Sequence, residues 1–421
     1  MSRFFRLFAF VLLLLGLGAV LASVILRSRA QTDRTLEAGW RKTLGGASFL
    51  ERYPPAENNA KALELEAAGA ALGLEMAPAD APGRSHPTRD AARRFEAIKT
   101  LLRNHLDPSV ERDDGEFPAP PPALAAFLDS SRPGLDRIAG LLLADPLPVW
   151  EFDLGKAFEA TLPNYLGVLG IERLLAAEAL ERIRTGHPDR ALPLLEAAWR
   201  LDQAVRAGPT LIPQLISLTD LKYLQLGLRA LPAAPPAWRE RMTALDLRRG
   251  ISIALRAEAF VAYLSSFRAR PLGSEKSPTW TLPFVRWGLH DYARRFQPMI
   301  EEMEKRDLST FDASAFGREM DERMPRWQIV ARLMLPNFWD SWPKAARGEL
   351  AADLTARILA ERERLAAGDP PRPNRREPSR IRGLSWLYED VPDGTRIRLD
   401  GDLLYKDKKG LPLRFTLRRP E

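Results

Sequence analysis

The sequence predicts a mainly α-helical protein with an N-terminal transmembrane helix, a body of helical hairpins and a small C-terminal β-meander. Three observations indicate this fold class. Residues 7–26 form an uncharged apolar run, residues 123–368 carry apolar residues at helical spacing, and apolar residues alternate after residue 383. At 421 residues, the chain has room for two or three domains.

The apolar run reads LFAFVLLLLGLGAVLASVIL and is twenty residues long. At about 1.5 Å per residue, a helix of this length crosses a hydrocarbon core of about 30 Å. A cleavable signal peptide is the alternative, with Ser28-Arg29-Ala30 as its cleavage site, but the run is longer than a signal peptide needs. We therefore expect residues 1–6 to be a short tail and residues 7–26 to be an uncleaved anchor.

The basic residues beside the anchor leave two orientations open. Arg3 and Arg6 precede it, whereas four arginines follow it between residues 27 and 41. This count favours a cytoplasmic body by the positive-inside rule, yet long domains translocate largely regardless of charge. A short basic tail before the apolar run is typical of a signal anchor. We predict a single-pass protein of the bacterial inner membrane with a periplasmic or extracytoplasmic body.

Composition and charge exclude several classes of function. The chain has no Cys, which removes disulfides, thiolate metal sites and thiol nucleophiles. Its net charge is +7, and the segment from Arg372 to Glu421 supplies +5 of this, with thirteen Lys and Arg against eight Asp and Glu. The rest is close to neutral, so we expect no nucleic-acid partner. The basic tail favours anionic lipid or an acidic partner, unless it is a solvated face.

Proline-rich segments divide the predicted helices. Helices are expected over residues 59–74, after an Asn N-cap, and over residues 89–106. Within the last unit, Asp400-Gly401 predicts a hairpin turn, with a further strand over residues 403–405. The predicted units after the anchor are an N-terminal helical region (27–114), a Pro-rich linker (115–122), the helical body (123–368), a Pro/Arg linker (369–382) and the β-meander (383–421).

Residues 171–203 resemble one tetratricopeptide-type helical hairpin. Apolar stripes lie on both sides of a turn at Gly186, and small residues let the paired helices approach closely. The first half departs from the repeat, with Leu175 where Trp is preferred and Ala179 where Gly is preferred. Since about three repeats are needed for a stable array, the pattern predicts hairpin packing more than a solenoid.

Two segments resemble a group of uncharacterised bacterial envelope proteins. Asp407 to Phe415 is similar to the closing element of that group, and Pro163-Asn164-Tyr165 through Leu215 is similar to its body. In this group an N-terminal anchor precedes a helical body rich in Ala, Leu and Arg. The resemblance implies an architecture and a location, and it implies no cofactor.

The sequence carries no catalytic signature. Ser341-Trp342-Pro343-Lys344 matches an S-x-x-K pattern, but the companion motifs are missing, and we interpret it as a chance match. Glu151 and Asp153 are the best carboxylate pair, although a capping or solvated pair is the better interpretation. We predict no metal site, because the four histidines are far apart in sequence: His86, His105, His187 and His290.

These observations favour a membrane-anchored binding or scaffold protein over an enzyme. Trp327, Trp339 and Trp342 are the predicted interaction surface for a protein partner. The alternative is an extracytoplasmic hydrolase acting on wall or glycan material, with Glu151 and Asp153 as its carboxylates. A cytoplasmic adaptor is a third hypothesis, which differs from the first in orientation.

Overall fold

The computed structural model describes residues 31, 33–78, 81–268, 282–325, 332, 337–370, 372, 374–401 and 412–418. In this part the chain is mainly helical and ends in a small antiparallel sheet, as the sequence predicts. The predicted anchor, residues 7–26, lies outside the described residues. Among the described helices, none has the length and apolar character needed to span a bilayer.

The helices and strands are numbered here in chain order. The helices are α1 (33–43), α2 (Phe49–Arg52), α3 (Ala60–Ala71), α4 (Arg89–Val110), α5 (Pro122–Leu143), α6 (Tyr165–Arg184), α7 (Pro188–Arg206), α8 (Leu211–Ala230), α9 (Ala237–Ala244), α10 (Leu247–Arg268), α11 (Leu282–Lys305), α12 (Ala313–Arg323) and α13 (Ser341–Ala366). Short 3-10 turns lie at Leu154–Glu159 and Asn337–Asp340. The strands are β1 (Arg375–Pro378), β2 (Ser385–Val391), β3 (Gly394–Asp400) and β4 (Arg414–Arg418).

Side-chain caps fix where two early helices begin. Asn59, at the predicted N-cap, accepts a hydrogen bond from the Ala62 N–H at 2.9 Å. Thr88 accepts from the Ala91 N–H at 3.2 Å in the same way. Each cap satisfies an N–H group that the first helical turn leaves without an intrahelical partner. The two predicted helices near the N-terminus are therefore confirmed as α3 and α4.

The helical hairpin formed by α6 and α7 contains the predicted residues 171–203. Gly186 turns the chain with a φ of +81°, in the left-handed region that favours glycine. The hairpin packs on α8, where a Cβ at Gly227 would lie 2.5 Å from Cδ2 of Leu195. The missing side chain at Gly227 therefore lets α7 and α8 approach closely.

One hydrophobic core extends from Leu36 in α1 to Leu417 in β4. At one side α1 packs against α10 through Trp40, whose ring lies edge-on to Phe260 and Tyr263. At the other side α13 contacts α8, α9 and α10. The helices and the C-terminal sheet thus share a single core.

The sheet has the strand order β1-β2-β3-β4 and packs its buried face on α13. Trp386 in β2 is fully buried, and its indole N–H donates to Oδ2 of Asp353 in α13 at 2.7 Å. In the same helix, Arg357 pairs with Asp353 at 3.2 Å and also bonds Glu377 in β1. A buried carboxylate of α13 therefore holds the central strand on the helix.

Arg229 in α8 joins the helical body to the segment before β4. Its guanidinium donates to the Ala351 carbonyl at 2.8 Å, to Oγ1 of Thr355 at 2.9 Å and to the Pro412 carbonyl at 3.2 Å. Burial, with a contribution from the charge of Arg347, lowers the pKa of Arg229 to about 9. Neutral oxygens on α13 and beside β4 satisfy this buried cation in place of a carboxylate.

One predicted boundary near the sheet is wrong. The Pro/Arg linker predicted over residues 369–382 contains β1, which pairs antiparallel with β2. Pro378 has no backbone N–H, and the sheet tolerates it because β1 is an edge strand. On the outer side of an edge strand, no neighbouring strand is present to accept a hydrogen bond. The strand predicted over residues 403–405 lies outside the described residues.

Gly394, the first residue of β3, leaves no space for a side chain. Its φ is +152°, and a Cβ would lie 1.8 Å from the Leu417 carbonyl oxygen. We expect Gly394→Ala to lower the free energy of unfolding by about 3 kcal/mol or more, because β3 and β4 must separate to relieve the overlap.

Gly186 provides the matched control for this prediction. Its φ is also positive, but nothing lies within 4 Å of the position of a Cβ. We expect Gly186→Ala to cost about 1 kcal/mol, from backbone strain alone. Urea unfolding of both variants measures the difference, and equal losses would contradict the assignment of close packing to Gly394.

Candidate functional site

The segment from Leu147 to Phe152 forms one wall of a cleft, and Asn59 holds it in place. The Asn59 side chain donates to the Leu147 carbonyl at 2.8 Å and accepts from the Val149 N–H at 3.1 Å. The Asn59 N–H donates to the Val149 carbonyl at 3.0 Å. One residue thus caps α3 and also binds an irregular segment that lies about ninety residues away along the chain.

A short antiparallel bridge completes this wall. The backbone N–H of Ala56 donates to the Phe152 carbonyl at 2.8 Å, and the Phe152 N–H donates to the Ala56 carbonyl at 3.0 Å. Between these contacts, Oδ1 of Asn58 accepts from the Glu151 N–H at 2.9 Å. Since its backbone groups are bonded at several points, the wall is fixed before any ligand binds.

The cleft beside this wall has a volume of 270 Å³ and a mainly apolar lining, and we call it the aromatic cleft. The C-terminal end of α7 and the start of the α7–α8 loop form the opposite side, including Val205 and Gly208. One cation, Arg52, and one carboxylate, Glu151, also border it. Its remaining lining is distinctive in containing aromatic rings and prolines: Tyr53, Trp150, Phe152, Tyr165, Pro54, Pro148, Pro163 and Pro209.

Two polar groups of the aromatic rings are buried at the cleft. Burial raises the pKa of the Tyr165 hydroxyl well above its usual value. The indole Nε1 of Trp150 is buried without a hydrogen-bond partner among the described residues. Both rings therefore present hydrogen-bond donors in a mostly apolar environment.

The two predicted carboxylates have separate roles. Oε1 of Glu151 lies 3.2 Å from Nζ of Lys156, and the side chain borders the aromatic cleft. Asp153 does not line the cleft, and its Oδ1 accepts from the Gly155 N–H at 2.8 Å, at the start of a 3-10 turn. Asp153 thus acts as a cap, as the sequence favours, and the pair does not converge on one cavity.

The other residues that the sequence singled out for chemistry are also dispersed. Ser341 is buried and donates to the Phe338 carbonyl, whereas the Lys344 side chain is exposed. His86 and His290 each bind one carboxylate, Glu75 at 2.9 Å and Asp33 at 2.7 Å. No group of three or more His, Cys, Asp or Glu side chains within the described ranges is placed to hold a metal ion.

The predicted tryptophan surface does not form as expected. Trp339 and Trp342 are 3% and 6% exposed, and Trp339 packs against Phe296 and Phe316 with ring centroids 5.4 and 5.0 Å apart. Trp327 lies outside the described residues. A cluster of Trp in a sequence is equally suited to a core and to an interface, because both bury the same apolar rings.

A cluster of buried carboxylates lies between α6, α7 and α8, and sequence reasoning missed it. Glu172, Asp202 and Asp220 are each 2% exposed or less. Asp202 bonds Ser217 and pairs with Arg206 at 2.7 Å, whereas both oxygens of Asp220 have no hydrogen-bond partner in the described part of the chain. The sequence pattern that could have revealed this cluster is a carboxylate among the apolar residues of a predicted helix, such as Glu172 next to Ile171.

Burial raises the pKa of all three carboxyl groups. For Glu172 the charges of Asp220 and Asp202 add to the effect of burial, and for Asp220 the charge of Asp202 does so. The pKa of Asp202 rises less, since Arg206 and Ser217 stabilise its charged form. None of the three groups lines the aromatic cleft, and we interpret the cluster as structural.

Comparison of the chain with known protein families, with curated proteins and with solved structures finds no match.

The buried carboxyl groups predict a stability that falls as the pH rises. With the folded-state pKa above the unfolded value of about 4, the folded chain binds more protons than the unfolded chain above that pH. The free energy of unfolding should therefore decrease upward from about pH 4, through the raised pKa values. Glu172→Gln and Asp220→Asn should each reduce this slope and raise stability at pH 8.

Glu178→Gln is the matched control for these variants. Glu178 is equally buried, but its Oε1 lies 2.8 Å from Nε of both Arg132 and Arg182. Its neutralisation should lower stability at pH 8, because Arg132 and Arg182 lose the buried carboxylate that they share. Urea unfolding at pH 5 and pH 8 measures all three, and a loss of stability in Glu172→Gln at pH 8 would contradict a raised pKa of Glu172.

Proposed function

We propose that this chain is a membrane-anchored helical binding protein of the bacterial cell envelope, which holds an extended segment of a protein partner in the aromatic cleft. One observation carries the proposal: an apolar cleft of 270 Å³ is lined by four aromatic rings, two of which belong to its hydrogen-bonded wall. Binding sites are typically concave, mostly apolar and largely preformed, with a few placed polar groups.

The lining favours a proline-rich peptide as the bound segment. Grooves lined by aromatic side chains bind PxxP segments, which enter as a preformed polyproline II helix and lose little conformational entropy. Arg52 offers a positive charge to the flanking residues of such a segment, whereas the charge of Glu151 is already paired with Lys156 at 3.2 Å. A tetratricopeptide-like hairpin beside the cleft, α6 and α7, is consistent with peptide binding.

Contacts at the start of the described part limit the distance between the body and the predicted anchor. Asp33 bonds His290 in the first half of α11 at 2.7 Å, and Trp40 packs on α10. Residues 27–32 connect Asp33 to the predicted anchor and span at most about 22 Å when fully extended. On this proposal, the start of α11 is the membrane-proximal side of the body.

A carboxylate-dependent hydrolase is the second candidate, and Glu151 at the cleft is the observation in its favour. Glycoside hydrolysis requires a second carboxyl group across the scissile bond. Asp153 caps the Gly155 N–H instead, and Glu151 is the one carboxylate among the described lining residues. The geometry therefore supports binding better than hydrolysis.

A peptide titration tests the proposed binding function. The full chain in detergent should bind a fluorescent proline-rich peptide with saturation, and a peptide of the same composition without consecutive or PxxP-spaced prolines should bind less tightly. Val149→Arg should weaken binding about tenfold or more, because Val149 is 41% exposed and lines the cleft.

Leu166→Arg is the control, since Leu166 is 73% exposed and does not line the cleft. It should leave the affinity unchanged. An equal effect of both variants, or no preference between the two peptides, would count against the aromatic cleft as a peptide site. Hydrolysis of glycan that is lost in Glu151→Gln would instead support the second candidate.

Fusion of reporters after Glu421 tests the proposed location. A reporter that is active only outside the cytoplasm should be active in this fusion, and a cytoplasm-specific reporter should be silent. Deletion of residues 7–26 is the matched control and should reverse the pattern, with the body released from the membrane fraction. Activity of the cytoplasmic reporter in the complete chain would leave the cytoplasmic adaptor as the hypothesis to pursue.

A further inference from the structure

A second cavity, with a volume of 630 Å³, lies between the helical body and the C-terminal sheet. It is lined by residues 304–308 at the end of α11, by residues 380–383 before β2, and by Arg248 and Trp342. We call it the basic groove. Its volume is in the range of small-molecule sites, and it is separate from the aromatic cleft in its lining residues.

Cations outnumber carboxylates in the basic groove. Its lining contains two carboxylates, Glu304 and Asp307, and both are already bonded: Glu304 pairs with Arg256 at 2.6 Å, and Asp307 accepts from the N–H and hydroxyl of Ser309 at 2.9 Å. The lining cations are Arg248, Lys305, Arg306, Arg380 and Arg382.

Two of these cations are neutralised from outside the groove. Arg248 pairs with Glu349 at 2.9 Å, and Arg306 pairs with Glu302 at 2.6 Å. Lys305, Arg380 and Arg382 make no ion pair within 4 Å with any carboxylate in the described ranges of the chain. Asp307 is bonded only to the neutral groups of Ser309, so its charge offsets one of these three cations. The lining therefore carries an excess of two positive charges.

Backbone contacts hold Arg380 in the wall of the groove. Its guanidinium donates to the Leu245 carbonyl and to the Met242 carbonyl at 3.5 Å, near the end of α9. Its backbone N–H donates to Asp353 at 3.4 Å, beside the bond between Asp353 and Trp386. Carbonyl oxygens at a helix C-terminus carry a partial negative charge, so they orient the guanidinium and leave most of its charge available.

An apolar floor accompanies the charges. Leu308 and Ile381 are buried, and the Trp342 ring lies 6.0 Å from the guanidinium carbon of Arg248. A wall of low polarity strengthens ion pairs that form against it, and it can also contact the organic part of a ligand.

We propose that the basic groove is a binding site for a phosphate-bearing organic anion. A single carboxylate carries one negative charge and would leave one of the two excess positive charges unmatched. A phosphate group carries nearly two charges at neutral pH and presents three acceptor oxygens, which suit the fork of an arginine and the ammonium group of a lysine. The volume of 630 Å³ admits a group larger than phosphate alone.

The phosphate has two possible sources, a soluble metabolite and a lipid headgroup. The groove lies at the end of α11, about fifteen residues after His290, which corresponds to about 22 Å along the helix axis. At His290, the helix bonds Asp33, the first residue of α1. This separation favours the soluble source, because Asp33, seven residues after the predicted anchor, bonds the first half of the same helix. The inference concerns this site alone and does not depend on peptide binding in the aromatic cleft.

Calorimetric titration of the full chain in neutral detergent tests the inference with two probes, inorganic pyrophosphate and a short-chain phosphatidic acid, whose headgroup is a phosphomonoester. Saturable binding of either probe, weakened by added salt, is the expected result. Pyrophosphate binding alone identifies a soluble source, and preference for phosphatidic acid over short-chain phosphatidylcholine identifies a headgroup. The double variant Lys305→Gln, Arg382→Gln should weaken binding at least about tenfold, since both side chains are exposed and lose charge-assisted contacts.

Arg93→Gln, Arg94→Gln is the matched control, because it removes the same charge from two exposed side chains of α4. It should bind the probes as the unchanged protein does. Circular dichroism and urea unfolding establish that both double variants fold. Absence of saturable binding of both probes would overturn the inference, as would an equal loss in the two double variants. Tighter binding of a poly-glutamate peptide than of either probe would also overturn it.

Discussion

The fold depends on the burial of α13, which other elements must cover around most of its circumference. Residues of this helix are buried around most of its circumference, and such a helix cannot lie at a surface without exposing apolar area to water. Helices α8, α9 and α10 cover part of it, and the C-terminal sheet covers the rest. The sheet has four short strands, so it too needs a partner for its apolar face. Each element therefore supplies the surface that the other requires.

Polar contacts determine how these two elements meet. Apolar burial has little directional preference, whereas the bond from Trp386 to Asp353 and the three bonds of Arg229 each require a defined geometry. Asp353 also bonds the backbone of Arg380, so the contact that holds β2 on α13 also places a wall of the basic groove. The packing of the sheet and the shape of that groove are consequently linked through one carboxylate.

The two cavities differ in the interactions that they offer. The aromatic cleft joins apolar rings to a wall of bonded backbone, and it suits a ligand that buries apolar area. The basic groove presents Lys305, Arg380 and Arg382, which make no ion pair with a carboxylate in the described part of the chain. It therefore suits a ligand that brings negative charge. On the two proposals, the chain would join a peptide to a phosphate-bearing ligand, and the residues that decide each affinity are different.

The sequence by itself determined the helical class, the starts of α3 and α4, the hairpin of α6 and α7, and the presence of a C-terminal sheet. These features follow from local patterns, namely apolar spacing, caps and turn residues, which act between residues close in the chain. Tertiary structure alone decided that Trp339 is buried and that β1 lies within the predicted linker. It also decided that Glu151 borders a cleft while Asp153 caps a turn. In the same way, it brought Arg248 to one cavity with residues 304–308 and 380–383. These contacts join residues far apart in the chain, and the free energy of such pairings depends on the packed arrangement of the whole core.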